Sequence, residues 1–164
     1  MKQIERILCP VDFSETSTEA FDYANRLAAT TGAELIVLHS FDAPALHGIT
    51  GQDRPADPLL VRRLEAQTSP LPGVRIQRVL HAGLPAETIC LQAEQRNCDL
   101  IVMGTHGLTG LAHLLLGSVA EHVLRHAPCP VLVVRGRRAN EPPLDKPLMP
   151  PPIVVHGGPG SPLA

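Results

Sequence analysis

The residues best placed to do chemistry are Met103-Gly104-Thr105-His106-Gly107, followed after nine residues by Gly117-Ser118-Val119. Gly104 and Gly107 follow an apolar run and would let the backbone approach a ligand without a Cβ in the way. Gly117 and Ser118 would open a helix, whose first N–H groups are free and carry a partial positive charge. Such an arrangement suits phosphate. Pro10 and Val11 close an earlier apolar run, and Asp12 follows it directly with a carboxylate able to accept hydrogen bonds from a ligand. The alternative role for Asp12 is to cap the turn that follows.

These residues need strands that end beside one another. Five apolar runs, at 7–11, 35–41, 74–80, 100–103 and 131–134, read as strands, mostly continuous rather than alternating. Continuous runs fit strands covered on both faces, as in a parallel sheet between helices. The run at 74–80 alternates more and reads as an edge. Thr16 and Glu19 have the spacing of a capping box ahead of Ala20, Ala24, Leu27 and Ala28, with Gly32 as the stop. A second helix starts at Pro85 with Ala86, Ile89 and Ala93 inward, and a last one places Val119, Val123 and Ala127 inward. Between residues 42 and 73, prolines confine any helix to about 59–66. Residues 139–164, rich in Pro and Gly, are expected to be a disordered tail behind a domain at 1–138.

Composition narrows the function. The chain has 164 residues, a formal charge of −2, 3 Phe, 1 Tyr and no Trp, so it lacks both the basic excess and the stacking platform of a nucleic-acid binder. No apolar run is long enough to cross a bilayer and the first residues are too polar for a secretory signal, so no membrane role and a cytoplasmic location are expected. The 4 cysteines, at 9, 90, 98 and 129, have no C-x-x-C spacing and read as reduced, buried thiols. His122 and His126 have the i, i+4 spacing of a metal pair, but no third ligand can be nominated, and they read as an exposed pair; His39 and His81 read as structural. No metal-binding protein residues are expected.

The pattern G-x-x-G, nine residues, then G-S, carried by Gly104, Gly107, Gly117 and Ser118, resembles the universal stress protein family in its nucleotide-binding branch. The resemblance covers about residues 3–135, including the first strand with Pro10-Val11-Asp12-Phe13-Ser14 and the last with Pro128-Cys129-Pro130 before it. It implies an α/β fold, a five-stranded parallel sheet in the order 3-2-1-4-5 with helices on both faces. It also implies ATP with Mg²⁺ on the phosphates. Pro10, Val11 and Asp12 would line the adenosine end, Ser40 would meet adenine through its backbone, and Met103, Gly104, His106, Gly107, Gly117, Ser118 and Val119 would complete the site. With few aromatics, adenine would lie between aliphatic groups such as Val11, Val37 or Met103.

The function so implied is an ATP-binding stress-response regulator, homodimeric through the edge strand Val131–Val134 and acting on an unknown downstream protein. Hydrolysis is expected to be slow or absent, since the only lysines, Lys2 and Lys146, lie outside the site and no P-loop is present. A nucleotide-free homodimeric scaffold and a slow ATPase are the alternatives. Ligase-type adenylation is disfavoured, because the turn after the first strand lacks glycines. A phosphorylated receiver is disfavoured too, because the acidic cluster and later lysine that it needs are missing.

Overall fold

In the computed structural model of the chain, residues 3–41, 57–105 and 116–135 are described. Strands and helices alternate: β1 (Arg6–Pro10), α1 (Glu15–Thr31), β2 (Glu34–Phe41), α2 (Pro58–Glu65), β3 (Arg75–Ala82), α3 (Pro85–Gln95), β4 (Leu100–Gly104), α4 (Ser118–His126) and β5 (Val131–Val134). The strands form one parallel sheet ordered β3-β2-β1-β4-β5, the order that the resemblance implies. The expected tail at 139–164 lies outside the described residues.

Side-chain alternation along each strand divides the core in two. On one face Ile7, Cys9, Leu35, Val37 and Val102 pack with Phe21, Ala24 and Ala28 of α1 and Leu64 of α2. On the other face Leu8, Ile36, Leu38, Ile101 and Met103 pack with Ile89 and Ala93 of α3 and Ala120 and Val123 of α4. Both faces of the central strands are therefore covered, which explains their continuous apolar runs. The alternating β3 does lie at an edge.

The start of α1 differs from the expected capping box at Thr16 and Glu19. The N-cap is Ser14, in an extended conformation, and its Oγ accepts from the Ser17 N–H at 3.2 Å while donating to Asp12 Oδ1 at 2.5 Å. Ser14, anchored to Asp12, takes the cap in place of Thr16, so the helix starts two residues earlier than expected. Ser14→Ala should lower stability by about 1 kcal/mol, and Thr16→Ala by less, as read from urea midpoints. At the other end Gly32 is left-handed (φ 74°) and its N–H reaches the Ala28 carbonyl, the expected stop.

All four cysteines are free thiols, but only Cys9 and Cys98 are buried; Cys90 and Cys129 are half-buried, unlike the expectation that all four are hidden. Burial pushes the Cys9 thiol up to about 12. Burial first, and then the neighbouring Cys129, push Cys98 up to about 11. Both stay protonated at neutral pH and act as small apolar groups. Among the described residues, no helix is long and apolar enough to cross a membrane.

Candidate functional site

The chain runs from β1 outward through β2 and β3, then returns to the other side of β1 for β4 and β5. Reversal of strand order leaves a crevice at the carboxyl ends of β1 and β4. A cavity of about 290 Å³ sits there, close to the lower end of the range of roughly 300 to 1,000 Å³ for small-molecule sites.

Of the predicted site residues that are described, all but Val37 line this cavity. Pro10, Val11 and Asp12 come from the end of β1, Ser40 from β2, and Met103 and Gly104 from the end of β4. Gly117, Ser118 and Val119 come from the start of α4. His106 and Gly107 lie outside the described residues, as does most of the loop between them and Gly117.

Five further residues line the cavity that the sequence did not assign to the site, Ser17, Leu38, Pro85, Ile89 and Ala120, and Thr105, inside the predicted segment, lines it as well. Leu38 corrects the expectation for Val37. Val37 belongs to the α1 face and is fully buried there, whereas Leu38 shares its side of the sheet with Ser40, two residues on. Pro85 and Ile89 stand one helical turn apart at the start of α3, a spacing that could have found them.

The lining is of two kinds. Val11, Leu38, Ile89 and Met103 give a buried aliphatic part, while the polar lining includes buried Thr105, half-buried Asp12 and Ser40, and exposed Ser118. Asp12 takes the capping role, its Oδ1 accepting from the Ser14 N–H at 3.0 Å, and it also lines the cavity. Ser17 donates its hydroxyl to the Ser14 carbonyl at 3.0 Å. Among the described lining residues there is no Lys or Arg.

Positive potential comes instead from backbone. The first N–H groups of α4, at Ser118, Val119 and Ala120, have no partner within the helix, and all three residues line the cavity. Gly117 departs from expectation, because its N–H donates to the Thr105 carbonyl at 2.8 Å and so is not offered to a ligand. That bond, with Thr105 N–H donating to the Val134 carbonyl at 3.0 Å, fixes the tip of α4 against the ends of β4 and β5. Gly104 departs too. A Cβ there would meet the Thr16 carbonyl oxygen at 2.9 Å and carbonyl carbon at 3.0 Å, so the glycine is needed for the approach of α1.

Among the described residues, no histidine lines this cavity. His122 and His126 stack at 4.3 Å between ring centroids, and the His126 Nδ1 is hydrogen-bonded to the His122 carbonyl at 2.9 Å. Among the described residues, no group of three or more His, Cys, Asp or Glu could hold a metal ion.

Comparisons with known proteins agree with this architecture. Residues 3–135 match the universal stress protein family. The chain is 37% identical to universal stress protein MJ0531 of Methanocaldococcus jannaschii over 140 residues, covering 80% of this chain and 82% of the relative. The structure of MJ0577, a universal stress protein of the same organism, superposes with a TM-score of 0.70 at 30% identity, over 84% of this chain and 100% of that one. A universal stress protein in complex with cAMP shares the fold at a TM-score of 0.63 and 24% identity, over 83% of this chain and all of the other. With the sheet order, the switch-point crevice and the family match in accord, the chain belongs to the universal stress protein family.

Proposed function

We propose that the chain binds an adenine nucleotide, ATP with Mg²⁺ on its phosphates, in the switch-point crevice, and that occupancy regulates a downstream protein in the cytoplasm. The observation that carries this reading is one cavity combining an aliphatic interior with the first turn of α4. The aliphatic groups suit a flat base, and the N–H groups at Ser118, Val119 and Ala120 suit phosphate oxygens. The site of adenine is taken to be between Val11 and Met103, with Leu38 beneath and the Ser40 backbone at its edge. In the same fold, the cAMP complex also holds an adenine nucleotide. Occupancy can regulate only by binding one arrangement of the protein more tightly than another.

Turnover should be slow or absent. Phosphoryl transfer needs developing charge to be neutralised by a placed cation, and the described lining residues supply no Lys or Arg. Asp12 alone is titratable among them, and its Oδ1 is already committed to Ser14.

The second element of the proposal is a homodimer through β5. The two edges of the sheet are unlike. At β3, Arg78 donates from Nε and Nη2 to the Gln67 carbonyl at 3.1 and 2.6 Å, and Arg96 donates to Gln77 at 3.0 Å, so charged groups guard the edge. At β5 the strand is Val131-Leu132-Val133-Val134, half-buried throughout, and suits pairing with a second copy. Calorimetry with MgATP should give saturable binding, a phosphate-release assay little turnover, and light scattering a dimer. Absence of binding heat would overturn the nucleotide reading, and a monomer at micromolar concentration would overturn the dimer.

A further inference from the structure

Phe13 has φ 65°, a left-handed conformation that a residue with a Cβ adopts only when its surroundings hold it there. Its surroundings are specific. The His39 ring lies 4.6 Å from the Phe13 ring between centroids, tilted by 41°, and the His39 Nδ1 is hydrogen-bonded to the Val11 carbonyl at 2.7 Å. The guanidinium carbon of Arg63 sits over the Phe13 ring, 4.2 Å from its centroid, where the electron-rich face attracts a cation.

Arg63 belongs to α2 and does not line the cavity. The turn that it touches does: Val11 and Asp12 precede Phe13, and Ser14 follows it and donates two hydrogen bonds to the Asp12 carboxylate. Once Phe13 is clamped, both neighbours of the left-handed residue are fixed, and with them the direction in which Asp12 is offered.

We propose that Arg63 and Phe13 are positioning residues, through which α2 holds the turn after β1 in the form that presents Asp12 to the cavity. The consequence for affinity rests on the nucleotide reading above; the mechanical part does not. Reciprocity adds that a nucleotide contacting this turn should in its turn protect the amides of α2.

The test uses the full chain as wild type, Arg63→Ala, Arg63→Lys and Phe13→Gly, each followed by amide hydrogen exchange without ligand and by calorimetry with MgATP. Glycine adopts φ 65° freely, so backbone preference alone predicts that Phe13→Gly keeps or tightens the turn. The clamp predicts the reverse. Exchange at the Ser14 amide should rise about two- to fivefold in Arg63→Ala and about tenfold in Phe13→Gly, while Leu8 in β1 keeps its protection. Affinity for MgATP should fall by similar factors, and Arg63→Lys should restore most of it. Unchanged Ser14 exchange in both variants would overturn the clamp, and faster exchange with unchanged affinity would overturn the positioning role. A wild type that takes up no nucleotide would sink the functional reading and the affinity arm with it, leaving the exchange data to judge the clamp itself.

Discussion

Ser118→Glu should weaken ATP binding about a hundredfold while leaving the fold as stable as before or slightly more so. Ser118 is the first residue of α4, is exposed, and lines the cavity. A carboxylate at a helix N-terminus is favourable by about 0.3 to 1 kcal/mol, because it answers the partial charge of the unpaired N–H groups. The same carboxylate would occupy the place proposed for phosphate. One unit charge repelling another across about 6 Å, at an effective dielectric constant near 20, amounts to about 2.8 kcal/mol, or roughly a hundredfold in affinity. Adenosine, which has no phosphate, should lose no more than about twofold. Paired titrations of ATP and adenosine decide the matter. Equal losses for both ligands would place the phosphates elsewhere.

The second large effect is expected at Gly104, without any ligand. An added methyl group would stand 2.9 Å from the Thr16 carbonyl oxygen, 3.0 Å from its carbon and 3.1 Å from the Thr16 Cβ. Two of these atoms are helical backbone and cannot swing aside, so α1 must shift away from β4. Overpacking of this kind costs about 1 to 3 kcal/mol, and Gly104→Ala should lower the melting temperature of the ligand-free protein by roughly 3 to 12 °C. A glycine kept only for approach to a ligand predicts a different result, with unchanged melting and weakened binding. Thermal unfolding in nucleotide-free buffer separates the two.

Gly104 shows where the sequence is and is not legible. That the residue must be small could be read from its place after an apolar run, but the partner that demands it, Thr16, lies 88 positions away in the chain and on another element. The strands were legible because burial on two faces leaves continuous apolar runs, and their observed ends differ by at most two residues from the runs. Helix α2 was legible through Pro58 and its flanking prolines, which left one stretch able to be helical.

What the sequence concealed was mainly contact between elements. Thr16 and Glu19 fit a capping box by spacing, yet Ser14 caps α1, tied to Asp12 by a local turn two residues long that competes with that spacing. Val37 and Leu38 are equally apolar, and only the pleat of β2, set by its register with β1, decides which of them faces the crevice. The N–H of Gly117 was expected to serve a ligand and instead joins α4 to Thr105, a bond that depends on where β4 ends. Apart from Val37, the described residues of the expected site do share one cavity, since each was tied to a strand end or a helix start.

The central claim is that a nucleotide places its base among aliphatic groups at the ends of β1 and β4 and its phosphates on the tip of α4. A crystal structure with ATP and Mg²⁺ tests it most directly. Adenine is expected between Val11 and Met103, with phosphate oxygens within hydrogen-bond distance of the N–H groups at Ser118, Val119 or Ala120. A crevice filled by the protein's own side chains, or a nucleotide bound away from the start of α4, would contradict it.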